Sequence, residues 1–125
     1  MPIRLTAATA LMSLAMPVMA AQTGLELTLG TSGDFERRQY TYDCGADEPL
    51  SVTYLNAAPN FLAVVPIEGE DEPLVFVSVI SASGARYAAA QWVWWTRGSE
   101  ASLYDETLGE DAEAVLTCSE IINTP

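Results

Sequence analysis

PLVFVSVISASGARYAAAQWVWWTRG, residues Pro73 to Gly98, holds three apolar runs (PLVFVSVI, ARYAAA and WVWWTR) and two places between them where the chain must turn back. Runs of this length, rich in β-branched and aromatic residues and bounded by turn formers, read as strands. The first interruption is SASG, Ser81 to Gly84; the second is a tight reversal near Ala90-Gln91. Gly84 to Gly98 is therefore long enough for one strand away and one strand back. In an up-and-down meander, loops separated by two strands emerge at the same end, so the SASG loop and the TRG loop, Thr96 to Gly98, are expected side by side. A hydroxyl from Ser83 and a guanidinium from Arg97 would then project from one rim. Each stands beside a glycine, Gly84 or Gly98, that lets the backbone turn or approach a neighbour closely.

The same pattern continues outward in both directions. RQYTYDC, LSVTYLN and NFLAVV precede this stretch, and ASLYD and AVLTCS follow it, with GADEP, NAAPN and EGEDEP among the breakers. Eight short strands separated by polar turns predict an all-β fold: a small antiparallel eight-stranded β-barrel, an up-and-down meander, over residues 37–125. Alternation agrees, since Tyr40, Tyr42 and Cys44 share one face of their strand and Leu50, Val52 and Tyr54 share one face of the next. No sustained helical period, internal repeat or second domain is legible. Residues 21–36, AQTGLELTLGTSGDFE, read as a flexible N-terminal arm, with LELTL a candidate edge strand.

The first twenty of the 125 residues differ from the rest. Arg4 gives a positive start, Leu5 to Met16 is apolar and uncharged, and Pro17-Val18-Met19-Ala20 offers small residues for cleavage. Residues 1–20 are thus expected to be a secretory signal peptide, too short for a membrane span, with the mature chain starting near Ala21. No cysteine stands near the cleavage point, so no membrane anchor is expected.

Without the leader, four arginines (Arg37, Arg38, Arg86, Arg97) face 17 carboxylates, a net charge of −13. Such a chain repels nucleic acid and anionic membrane and favours a cationic partner. The mature sequence contains no lysine and no histidine. That inventory excludes Ser-His triads, lysine Schiff bases and histidine-ligated metals, and no cofactor is expected. Cys44 and Cys118, the two cysteines of a chain that reads as exported, are expected to form a disulfide. If the first and eighth strands are neighbours, this bond staples the seam where the sheet closes. The chain-entropy estimate for a loop of this size is roughly 4 kcal/mol.

Plain readings stand beside these. Ser83-Gly84 alone is an ordinary turn, and so is Arg97-Gly98; it is their joint appearance at two-strand separation that points to function. In WVWW, Trp92 and Trp94 face one way and Val93 and Trp95 the other, so one set belongs to the core. A sugar-stacking platform is the sharper alternative. Trp95 and Arg97 share a face, which places the ring under the arginine. The acidic runs EGEDEP and GEDAE lack the pattern of a calcium loop and read as solvated hairpins.

The order YTYDC, LSVTYLN, SASGARY, WWTRGSEASLY, LTC resembles the family of bacterial inhibitors of C-type lysozyme, which has membrane-bound and periplasmic forms. The likeness runs from Gln39 to Ser119. It rests on the Ser-Gly-Ala-basic-Tyr segment (Ser83, Gly84, Ala85, Arg86, Tyr87) and on the aromatic-x-basic-Gly segment that ends in Arg97 and Gly98. The resemblance implies an eight-stranded barrel that enters the cleft of a C-type lysozyme. It implies that Ser83 and Arg97 reach the two catalytic carboxylates of that enzyme, with Gly84, Gly98, Arg86 and Tyr87 around them. Two departures are visible: Arg97 stands where the family usually has lysine, and no lipid-attachable cysteine follows the leader. The expected location is therefore the soluble periplasm. A small-ligand or glycan-binding barrel is the competing function and would need an open apolar interior; a carboxylate-based hydrolase ranks behind it. Whether the chain forms a homodimer is left open by the sequence.

Overall fold

The computed structural model describes residues 2–4, 6–16 and 24–122. The expected cleavage site, Pro17 to Ala20, and the expected mature start at Ala21 lie outside them. The strands are β1 (Glu36–Asp43), β2 (Leu50–Ala57), β3 (Asn60–Val65), β4 (Leu74–Val79), β5 (Ala85–Ala89), β6 (Trp92–Arg97), β7 (Glu100–Asp105) and β8 (Leu116–Glu120), with a 3-10 turn at Glu106–Leu108 after β7. They pair antiparallel in sequence order and close into a barrel. The eight-stranded meander expected from the apolar runs is the fold of this chain, and each strand falls within two residues of its run.

Alternation decides what lies inside. Tyr42, Val52, Tyr54, Ala63, Val65, Phe76, Tyr87, Trp94, Ala101, Leu103 and Cys118 form one continuous buried core. Of the two sets in WVWW, Trp92 and Trp94 are the inner one, with Trp94 fully buried. Buried hydroxyls and the indole are matched: Trp94 Nε1 donates to the Tyr54 hydroxyl at 2.8 Å, and the Tyr42 and Tyr54 hydroxyls lie 2.8 Å apart. Polar groups held in a core need such partners, because an unpaired one loses its hydration without return.

The closing seam is short. β1 and β8 pair only at Tyr42↔Glu120 and Asp43↔Ser119. The next rung of that ladder is Cys44 opposite Cys118, and these two are joined in a disulfide. The covalent bond thus extends the barrel's weakest ladder.

One expectation is corrected. LELTL, Leu25 to Leu29, forms no strand. A closed barrel offers no free edge, so this apolar segment lies instead along the outer wall, where Leu27, Leu29 and Phe35 border a depression together with Leu55, Ala57 and Leu62. The arm is tethered at its inner end, because the Ala58 carbonyl oxygen accepts the Ser32 amide at 2.7 Å and the Thr31 hydroxyl at 3.1 Å.

Candidate functional site

Antiparallel order sorts the loops between two ends. The β2–β3, β4–β5 and β6–β7 connections emerge at one end, together with the start of β1 and the end of β8; the other four connections emerge at the opposite end. Ser83, in the β4–β5 loop, and Arg97, at the end of β6, therefore share a rim, as the two-strand spacing anticipated. Both are exposed.

Two contacts join their loops. β5 and β6 pair from Ala85↔Thr96 onward, so the chain just before β5 lies against the chain leaving β6. Gly84, at φ +66°, fills the closest approach: a β-carbon there would overlap the Thr96 carbonyl oxygen and stand 2.9 Å from Arg97 Cγ. Only glycine fits both the backbone angle and the space. The glycine that the sequence marked as a turn former is also the contact point between the loops. The second contact comes from Trp95, outward and half-buried on β6, whose Nε1 donates to the Ser83 carbonyl oxygen at 2.9 Å.

Arg97 lies over the same indole, its guanidinium carbon 3.9 Å from the ring centroid. Stacking on an aromatic face satisfies a guanidinium without using its N–H donors, which stay available to an external acceptor. Among the described residues Arg97 forms no ion pair, although Glu100 is its rung partner in β7.

The other sequence candidates fall elsewhere. Arg86 points outward along the wall, where its Nη2 lies 3.4 Å from Glu106 Oε1 and its guanidinium carbon 5.7 Å from the Trp95 centroid. Tyr87 points inward and is buried beside Tyr54, with ring centroids 5.7 Å apart. Alternation makes the split unavoidable: adjacent residues of a strand face opposite sides. Gly98, at φ +60°, turns the chain into β7 and has open space around it.

Beside the rim the barrel opens into a depression of about 450 Å³ whose lining includes Arg38, Tyr40, Tyr54, Tyr87, Thr96 and Glu120. Its floor is the hydrogen-bonded phenol layer. Burial raises the pKa of Tyr42, Tyr54 and Tyr87 above the ordinary phenol value, because a phenolate there would lose its hydration. The floor is consequently neutral. Below it Phe76 and Trp94 are fully buried, so the interior is filled by side chains.

Sequence reasoning found the rim but missed the indole hydrogen bond. The only signal for it was the shared face of Trp95 and Arg97; the direction of the ring edge depends on register and rotamer.

The chain as a whole is similar to known proteins. A family model described as membrane-bound lysozyme-inhibitor of c-type lysozyme matches residues 42–111. The chain is 43% identical over 94 residues to the membrane-bound lysozyme inhibitor of C-type lysozyme from Pseudomonas aeruginosa, a match covering 75% of this chain and 73% of that protein. It is also 43% identical over 79 residues to the protein of the same name from Cupriavidus necator, covering 63% of this chain and 62% of that one. Among solved structures, it resembles Pseudomonas aeruginosa MliC in complex with hen egg white lysozyme with a TM-score of 0.65 at 39% identity, over 81% of this chain and all of that one (100%). It resembles PliC, the periplasmic lysozyme inhibitor of C-type lysozyme from Salmonella typhimurium, with a TM-score of 0.51 at 25% identity, over 69% of this chain and 99% of that one.

Proposed function

The chain belongs to the family of membrane-bound lysozyme inhibitors of C-type lysozyme, and from that premise we propose that it is a soluble, periplasmic, non-enzymatic inhibitor that blocks a C-type lysozyme with the Ser83–Arg97 rim. The observation that carries this reading is the state of Arg97: a cation laid on Trp95, exposed at a rim, with no carboxylate partner among the described residues.

A retaining glycosidase presents two carboxyl groups about 5 Å apart in its cleft. A fixed cation beside a hydroxyl complements that pair. The Arg97 fork would take one carboxylate by charge-assisted, bidentate hydrogen bonds, and the Ser83 hydroxyl would donate to the other. Docking excludes water, which strengthens both bonds and denies the cleft to the glycan. Nothing in this arrangement turns over a substrate; occupancy is the mechanism. Arginine in place of the family's usual lysine keeps the charge but presents it as a planar fork, which Trp95 stacks beneath. The net charge of −13 left after removal of residues 1–20 suits a basic enzyme and accelerates encounter.

For location, no helix among the described residues is long and apolar enough to cross a membrane. The leader reading of residues 1–20 and the absence of cysteine before Cys44 favour export without lipid attachment. The filled interior weighs against a carrier, since Phe76 and Trp94 occupy the space an apolar ligand would need.

The test is direct. Mature protein mixed with a C-type lysozyme should slow lysis of a cell-wall suspension in proportion to the inhibitor added, up to equimolar. Lysis that proceeds unchanged at a large molar excess would overturn the proposal.

A further inference from the structure

The Ser83 carbonyl oxygen accepts two hydrogen bonds, one from Trp95 Nε1 at 2.9 Å and one from the Ser81 hydroxyl. The backbone of Ser83 is therefore held from two sides, while its own hydroxyl makes no hydrogen bond among the described residues and the residue is exposed on its loop. The indole that supplies the first of those bonds through its edge carries the Arg97 guanidinium on its face, at 3.9 Å. Edge and face of one ring thus reach both loops. Trp95 is half-buried on the outer wall, where the packing of the barrel interior makes no demand for it.

We propose that Trp95 is a positioning residue which couples the two loops into one preorganised unit, fixing the Ser83 backbone through its N–H and the Arg97 guanidinium through its π face. The proposal rests on the reading of Ser83 and Arg97 as the inhibitory pair and adds how that pair is held before any partner arrives. An arginine with several free rotors and a loop of small residues both lose conformational freedom when they dock. Ordering them in advance removes that loss from the binding step. Gly84 serves the same end by letting the loops touch.

Two substitutions separate the edge from the face. Trp95→Phe keeps a ring under Arg97 and removes the N–H donor; Trp95→Leu removes both. Loss of one neutral hydrogen bond should weaken inhibition of a C-type lysozyme about 5-fold in the phenylalanine variant. Loss of the stacking as well should bring the leucine variant to roughly 10- to 30-fold. In the free protein, amide exchange at residues 82–84 should rise in both variants. The ring-current shift of the Arg97 Nε–H signal should persist with phenylalanine and vanish with leucine.

The decisive arm repeats Trp95→Leu in a Ser83→Ala/Arg97→Ala background. A positioning residue acts through the groups it positions, so the substitution should there cost almost nothing. The same 10- to 30-fold cost in that background would mean that Trp95 touches the enzyme itself, and would overturn the proposal. Unchanged exchange and unchanged inhibition in folded Trp95→Leu would overturn it equally. If the leucine variant fails to fold, the phenylalanine variant carries the same measurements. Should Ser83 and Arg97 prove irrelevant to inhibition, the exchange and ring-current measurements still decide whether the indole couples the loops, because they need no lysozyme.

Discussion

The two ends of this barrel are built from different materials. The four connections at one end include 44–49, 66–73 and 106–115, which carry Asp47, Glu48, Glu68, Glu70, Asp71, Glu72, Glu106, Glu110, Asp111 and Glu113 and no basic residue. At the other end Arg37, Arg38 and Arg97 stand near Asp34, Glu36, Glu100 and Glu120, so charge there is close to balanced. The acidic end is also where Cys44 and Cys118 lock the seam, just beyond Asp43↔Ser119. At the rim end the β4–β5 loop and the end of β6 are joined without a covalent link, by a glycine contact, one indole hydrogen bond and a stacked guanidinium. The contrast separates tasks: covalent closure and bulk negative charge at one end, and at the other a nearly neutral surface with a cation that has no carboxylate partner among the described residues. A cleft containing carboxylates would be repelled by the first and can accept the second.

If that division holds, damage at the acidic end should lower stability or slow encounter and leave the docked complex alone, whereas loss of a rim side chain that meets the partner should weaken the docked complex and leave stability nearly unchanged. Replacing both cysteines by serine opens a large loop in the unfolded chain and should cost about 4 kcal/mol of folding stability. The variant should nevertheless inhibit at low temperature wherever circular dichroism shows it folded. A folded variant without inhibition would break the separation of the two ends.

The two rim glycines sharpen the comparison within one end. Gly84→Ala meets both a left-handed backbone and the Thr96 carbonyl oxygen, while Gly98→Ala, at φ +60°, meets the backbone cost alone. The first should lose about 2 to 3 kcal/mol of stability and weaken inhibition by forcing the loops apart, and the second about 1 kcal/mol. Equal melting temperatures for the two variants would show that the loops do not touch.

Alkali probes the phenol floor beneath the rim. Burial raises the folded-state pKa of Tyr42, Tyr54 and Tyr87. Their contribution is fully present below the ordinary phenol value near 10 and is lost as pH rises from there toward the folded values, because the unfolded chain releases protons that the folded chain retains. Each such proton removes up to about 1.4 kcal/mol of stability per pH unit. Absorbance at 295 nm should show these phenols ionising together with unfolding. Their free titration near pH 10 in folded protein would contradict the buried floor.

The smallest effect belongs to the acidic loops. Glu70→Gln, Asp71→Asn and Glu72→Gln together should slow association with a basic lysozyme roughly threefold at low ionic strength, flatten the fall of the on-rate with salt, and leave the off-rate unchanged. A changed off-rate would place this end in the complex.

Strand positions were legible because each run is short, rich in β-branched and aromatic residues, and bounded by residues that turn the chain; NFLAVV and WVWWTR coincide with β3 and β6. The shared rim of Ser83 and Arg97 followed from counting strands, which needs no side-chain detail. What escaped the sequence depended on contacts across the chain. The tether of Thr31 and Ser32 to Ala58 joins segments more than twenty residues apart. LELTL looks like a strand by composition, but whether an edge exists for it is decided by closure of the whole sheet. Val93 shows the same limit: it lies on the outer face yet is buried, because Tyr104 is its rung partner and Arg86 and Trp95 flank it. Arg86 and Tyr87 sit beside the motif glycine in sequence, but the pleat sends one to the wall and the other to the core.

The central claim is that the rim, and not the barrel's charge, performs the inhibition. Its most direct test is the inhibition constant of the Ser83→Ala/Arg97→Ala variant against a C-type lysozyme, measured beside its melting temperature. Arg97→Ala removes a charge-assisted bond to a buried carboxylate, a loss of about 2 to 5 kcal/mol, and Ser83→Ala adds roughly 1 to 2 kcal/mol for a neutral hydroxyl. The account predicts inhibition weakened by at least about 30-fold with a melting temperature unchanged, since both side chains are exposed, Ser83 on a loop and Arg97 at the end of β6. Full inhibition by a folded double variant would contradict it.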